Sequence, residues 1–262
     1  MPELKPETST AAATRIVLVI EYDGTRYHGF QLQAGLVTIQ SELERALHEL
    51  TGEKIRLMGA SRTDTGVHAK SQVVSFMTAS SHSLETFIKG LNYYLPQDIA
   101  VKSAYKTADN FNVRRQAVSR EYKYYILNSE TRSPLRDRFY YQVVGKLDID
   151  AMNRAAAALV GEHDFASFVN NNEVAAKITV RRVSRAEFSR EGDMIIFDMA
   201  ANAFLMHQVR NTVGTLLRVG RCRMSVEEFY KIVEAKKPGL AWPTAPARGL
   251  CLMQVNYNNP LA

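Results

Sequence analysis

The sequence predicts an α+β fold of two pseudo-symmetric halves, each an antiparallel sheet with helices on it, meeting at a central cleft. Three observations predict it. The element order β-α-β-β-α-β read along residues 15–106 returns, with insertions, along 107–262. A chain of 262 residues that is 46% hydrophobic has material for a large core. No linker separates the two series, so the halves are expected to pack as one body.

In the first half, Ile16–Tyr22 is a β-branched run ending at Asp23-Gly24, a strand followed by a turn. Thr38-x-x-Ser41-Glu42 opens a helix with Ile39, Leu43, Ala46, Leu47 and Leu50 at helical spacing, stopped by Gly52. Lys54–Ala60 and Ser71–Met77 read as strands around the polar stretch Ser61–Lys70. A helix over Leu84–Tyr94, ended by Pro96, and a strand at Ile99–Tyr105 complete the unit.

In the second half, Arg120–Leu127 and Phe139–Val144 read as strands, and Asp148 caps a helix running to Val160. Ile178–Phe188 and Met194–Met199 form a hairpin around Glu191-Gly192-Asp193. Helices at Leu205–Val219 and Val226–Ala235 precede a final strand, Leu250–Tyr257. Each half therefore has the order of a ferredoxin-like or RRM-like unit.

Composition narrows the function. The net charge is +6, and all of it lies in one part: residues 1–106 hold 11 basic and 11 acidic side chains, residues 107–262 hold 22 and 16. Such asymmetry points to an anionic partner for the second half. Two cysteines without a Cys-x-x-Cys pattern support neither a disulfide framework nor a cysteine zinc site, and the histidines lack metal-ligand spacing. The apolar runs are far short of a membrane span. Residues 1–14 read as a polar, disordered tail with no signal core, so a cytoplasmic location is expected.

The candidate chemistry clusters in four stretches. Gly59–Ala69 places Asp64 on a turn at a sheet end, with Arg62 two residues away. The same carboxylate also fits a plain Asx turn. Asp64-Thr65-Gly66 is the aspartic-protease tripeptide, which needs a second carboxylate that only a dimer would bring. The loop after the first strand exposes Tyr27, His28, Phe30 and Gln31 to an unstacked base, or folds Tyr27 and Phe30 back on the core. Phe111, Arg114 and Arg115 precede a strand whose period-2 alternation puts Arg120, Tyr122 and Tyr124 on one face. Cations beside aromatics on a sheet suit single-stranded nucleic acid, although a solvated edge strand has the same pattern. Finally, Ala203–Gly214 starts a helix with Arg210 and Asn211 beside its apolar stripe; His207 reads there as an interfacial histidine.

Six ordered motifs resemble the tRNA pseudouridine synthase A family. They are Tyr22-Asp23-Gly24-Thr25 with Gly29-Phe30-Gln31, Arg62-Thr63-Asp64-x-Gly66-Val67-His68-Ala69, and Arg120-x-Tyr122-x-Tyr124. They continue with Glu162-His163-Asp164-Phe165, Phe204-Leu205-x-His207-x-Val209-Arg210-Asn211-x-Val213-Gly214, and Ala245-Pro246-Ala247-x-Gly249-Leu250. The resemblance implies isomerisation of uridine to pseudouridine in the tRNA anticodon arm, typically at positions 38 to 40. It implies a homodimer and neither metal nor organic cofactor. It makes Asp64 the nucleophile, Arg62 the base-flipping residue and Arg210 the ion-pair partner of Asp64. Tyr122 would contact the uracil and serve in later proton removal. Phe111, Arg114, Arg115, Arg120, Tyr27, Phe30, Gln31 and Phe168 would meet RNA. On that reading residues 15–106 are the catalytic half and 107–262 the basic, RNA-binding half.

Overall fold

The computed structural model describes residues 13–170 and 178–259; nearly all of the expected tail, residues 1–12, lies outside them. The first series is β1 (Thr14–Tyr22), α1 (Ile39–Thr51), β2 (Met58–Gly59), β3 (His68–Thr78), α2 (Leu84–Tyr94) and β4 (Ile99–Thr107). The second begins with β5 (Ala117–Leu127), β6 (Tyr141–Gln142), α3 (Ile149–Ala157) and β7 (Gly161–Asp164). It ends with β8 (Val180–Glu191), β9 (Met194–Ala201), α4 (Gln208–Gly220), α5 (Val226–Ala235) and β10 (Leu250–Tyr257).

The expectation of two sheets is corrected: the described strands form one sheet in the order β4-β1-β3-β10-β5-β9-β8-β7, with β2 on β3 and β6 on β5. Strand order is β4-β1-β3-β2 in the first series and β10-β5-β9-β8 in the second, antiparallel throughout. The join is a short parallel pairing of Cys251 with His68 and Leu252 with Ala69. It exists because β2 pairs only with the far end of β3, at Ser75 and Val74. The near end of that edge is left to β10, and the strand expected over Lys54–Ala60 shrinks to Met58–Gly59. One apolar cluster runs through both series, from Leu18 and Phe76 to Phe197 and Leu216.

Helix starts follow cap chemistry. Thr38, Ser83, Asp148 and Ser225 each accept a backbone N–H in the first turn of α1, α2, α3 and α5. The exception is α4, expected from Leu205 but beginning at Gln208. Leu205–Gln208 forms a turn closed twice: the Gln208 N–H donates to the Leu205 carbonyl at 3.2 Å, and the Leu205 N–H donates to Gln208 Oε1 at 2.8 Å.

Candidate active site

Residues 60–67 join β2 to β3 and are held at alternate positions. Buried Gln72 bonds both main-chain groups of Ser61, at 3.1 and 2.9 Å. Thr63 is fixed by the Tyr22 hydroxyl at 2.8 Å and by the Phe30 N–H donating to its carbonyl at 3.0 Å. With 61 and 63 anchored, residues 60–64 all line a cavity of about 330 Å³, Arg62 exposed and Asp64 half-buried in it.

Opposite stands the start of α4. Arg210 Nη1 donates to Asp64 Oδ2 at 3.0 Å, and His207 Nε2 lies 3.6 Å from the same oxygen. Arg210 is itself held, its Nε donating to the Ala245 carbonyl at 2.8 Å while the Ala245 N–H returns to the Arg210 carbonyl at 3.1 Å. Carboxylate and guanidinium are 23% and 16% exposed, so water screens the pair only in part. An arginine on the carboxylate opposes the proton sharing that an aspartic protease requires.

Arg62, Arg114, Arg120, Arg181 and Arg210 all line the cavity, with Asp64 its single acidic residue. Burial lowers the pKa of Arg114, Arg120 and Arg181, and Arg62 adds to this at Arg114. Such a lining favours a polyanion. Tyr122 stands in the wall with its ring edge-on to Phe204, 5.0 Å between centroids. Burial, with Asp64 nearby, pushes its phenol up to about 12. At neutral pH the phenol of the free chain therefore keeps its proton.

Thus Arg62, Asp64, Arg114, Arg120, Tyr122 and Arg210 come together, and the other candidates do not. Tyr27, Phe30 and Phe168 are 4%, 2% and 0% exposed and present no face to a base. The Tyr27 hydroxyl is tied to Asp98, Phe30 covers Gly59, and Phe168 packs between Phe165 and Phe229. Gln31 is exposed away from the cavity, and Phe111 and Arg115 line a separate groove, where Phe111 packs on Tyr257. Arg120 is corrected in role. The alternation of β5 is as expected, but the face of Arg120, Tyr122 and Tyr124 is buried. Its guanidinium donates to the carbonyls of Ala60, Arg114, Ala117 and Asn202, at 2.7 to 3.2 Å. The sequence reading assigned no site role to Arg181, Phe204 and His207; the last two stood in the Ala203–Gly214 motif, and for Arg181 the only signal was the local run of positive charge.

A sequence model of the tRNA pseudouridine synthase family matches residues 18–114 and 155–258, most of the chain. The chain belongs to the tRNA pseudouridine synthase family. It is 45% identical over 242 residues to tRNA pseudouridine synthase A of Pelobacter propionicus, covering 92% of this chain and 99% of that one. It is 42% identical to the synthase of that name from Acetivibrio thermocellus, with the same coverage. The Legionella pneumophila synthase is 41% identical over 93% of this chain and 92% of its own. The family's work is isomerisation, and this member is an enzyme of that class. Among the described residues, no group of three His, Cys, Asp or Glu side chains is placed to hold a metal ion. Among them too, no helix is long and apolar enough to cross a membrane.

Proposed function

We propose that this synthase converts uridine to pseudouridine in the tRNA anticodon arm, at positions 38 to 40, with Asp64 as nucleophile. The observation that carries the reading is the Asp64–Arg210 pair in a cavity whose other charged groups are cationic. Isomerisation breaks the bond from N1 of uracil to the anomeric carbon and forms one from carbon 5 to that carbon. A proton leaves carbon 5 and N1 gains one, so atoms and electrons balance without a redox partner. The Asp64 carboxylate supplies the electron pair, attacking the anomeric carbon or carbon 6 of uracil, and is released when the new bond is made.

The uridine is stacked in its arm and has to be turned out first. Arg62, exposed at the cavity rim, takes the place it leaves, while Tyr122 and Phe204 receive the uracil. Arg114 and Arg181 meet the flanking phosphates. The two strand series of equal order are read as a ferredoxin-like duplication, residues 15–106 giving the nucleophile and 107–262 most of the cations. The working unit is a cytoplasmic homodimer in which one tRNA meets both copies.

The test is tritium release from tRNA labelled at carbon 5 of uridine. The wild-type chain is expected to release label and Asp64→Asn to release none while still retaining tRNA on a filter. Release by Asp64→Asn at the wild-type rate would overturn the assignment.

A further inference from the structure

We infer that His207 is a positioning residue for Asp64: with Arg210 it holds one carboxylate oxygen, Oδ2, so that the other, Oδ1, is the attacking atom. The inference rests on the reading of Asp64 as nucleophile and adds a residue to it.

Three observations carry it. The first is backbone. His207 adopts φ 58°, ψ 0°, the left-handed region that residues with a Cβ rarely occupy. Such conformations gather at functional sites when the surroundings enforce them, and the doubly closed turn of Leu205–Gln208 enforces this one. The second is capping. His207 occupies the N-cap of α4, the position that on α1, α2, α3 and α5 carries Thr, Ser, Asp or Ser with a side-chain bond to the first turn. His207 makes no such bond. Both the residue type and the conformation therefore forgo helix stability at this end.

The third is where the imidazole goes instead. Its Nε2 faces Asp64 Oδ2 at 3.6 Å, beside the Arg210 contact at 3.0 Å on the same oxygen. At 3.6 Å the contact is longer than a hydrogen bond, a common condition of catalytic contacts before substrate is bound. Two groups on Oδ2 restrain rotation of the carboxylate, which one group alone does not. Residues 207 and 210 lie three apart, on the cap and in the first turn of α4, and both side chains reach Asp64 Oδ2. A residue at the N-cap serves this purpose because its side chain leaves the helix end, towards the loop that carries Asp64.

The experiment compares His207→Gly and His207→Asn with the wild-type chain and Asp64→Asn. Gly and Asn both accept the left-handed backbone and both serve as N-caps. The two variants therefore keep the backbone, and kcat set against melting temperature separates a positioning role from a structural one. We expect the melting temperature of both variants to match or exceed wild type and tRNA affinity to stay within about twofold. We expect kcat in single-turnover tritium release to fall about 100-fold, the scale of a misplaced reacting group. Added imidazole should restore part of the rate to His207→Gly and none to Asp64→Asn. Wild-type kcat in both His207 variants, with Asp64→Asn inactive, would overturn this inference and leave the reading of Asp64 standing. Full activity of Asp64→Asn would instead overturn that reading.

Discussion

In the first strand series the second and third strands, β2 and β3, are joined by residues 60–67; in the second, β8 and β9 are joined by Gly192 and Asp193 alone. The β8–β9 ladder runs from Val183 opposite Ala201 to Glu191 opposite Met194, and main-chain bonds hold the hairpin up to its tip. The β2–β3 ladder has only two residue pairs. Beyond it the chain is held at separate points, by main-chain bonds of Ala60 to Val73 and of Phe30 to Thr63 and by the side chains of Gln72 on Ser61, Tyr22 on Thr63 and Arg120 on Ala60. A ladder fixes every residue it includes. Separate anchors fix chosen ones, here Ala60, Ser61 and Thr63, and Arg62 and Asp64 line the cavity beside them. The site occupies the connection that the sheet does not zip.

If so, substitutions at the two connections separate activity from stability. The largest effect is expected for Asp64→Asn: turnover down about 10,000-fold, the cost of removing a nucleophilic group, with a melting temperature near wild type. Urea unfolding and single-turnover kinetics on one preparation check both halves of that statement. Next comes Arg120→Met, which strips donors from carbonyls of Ala60 and Arg114. It should cost about 3 kcal/mol in urea and lower turnover as well, because its bonds span the anchored loop. A variant that lost stability and kept full turnover would show that the loop does not need this anchor.

Smaller is Gly214→Ala on α4, where an added Cβ would meet the Pro243 carbonyl oxygen at 1.6 Å. We expect about 2 kcal/mol of destabilisation. Turnover should fall too, since displacing residues 243–245 loosens Ala245 from Arg210. The control for all of these is Gly192→Ala. Gly192 has φ 64°, so the change should cost about 1 kcal/mol and leave turnover alone; lost turnover would mean that the hairpin tip also reaches substrate.

The smallest effect concerns pH. Burial raises the phenols of Tyr22, Tyr122, Tyr124 and Tyr257, that of Tyr122 to about 12. An unfolded tyrosine releases its proton near ~10. Above that pH the unfolded chain loses protons that the folded chain keeps, so stability falls as pH rises towards 12. Tyr122→Phe should soften this alkaline loss, measured as urea midpoints between pH 9 and about 11. No softening would place the burial penalty elsewhere.

Most of the fold was legible because it is local. The limits of α2, α5 and β10 follow the sequence reading residue for residue, since caps, prolines and periodicity set them. The long-range pairing was not. Nothing within β3 or β10 says that they meet in parallel, and that contact made one sheet of two. At the site, Arg62, Asp64, Tyr122 and Arg210 were readable from motif and charge. Tyr27 and Phe30 were readable either as faces for a base or as rings folded on the core, and the structure buries them; Phe168, offered only by the resemblance, is buried too. His207 was read as interfacial because it sits beside an apolar helix stripe; its left-handed backbone is imposed by a turn that apolar periodicity does not encode.

The strand that joins the two series is β10, which follows every other described element along the chain. Synthesis therefore delivers β3 and β5 long before the strand that sits between them, and until then both present unpaired edges. In the folded chain the Asp64 loop leads into β3, which β10 joins to β5. The charged cavity thus depends on a pairing of long sequence separation, Cys251 with His68, that becomes available only once the last described strand has been made.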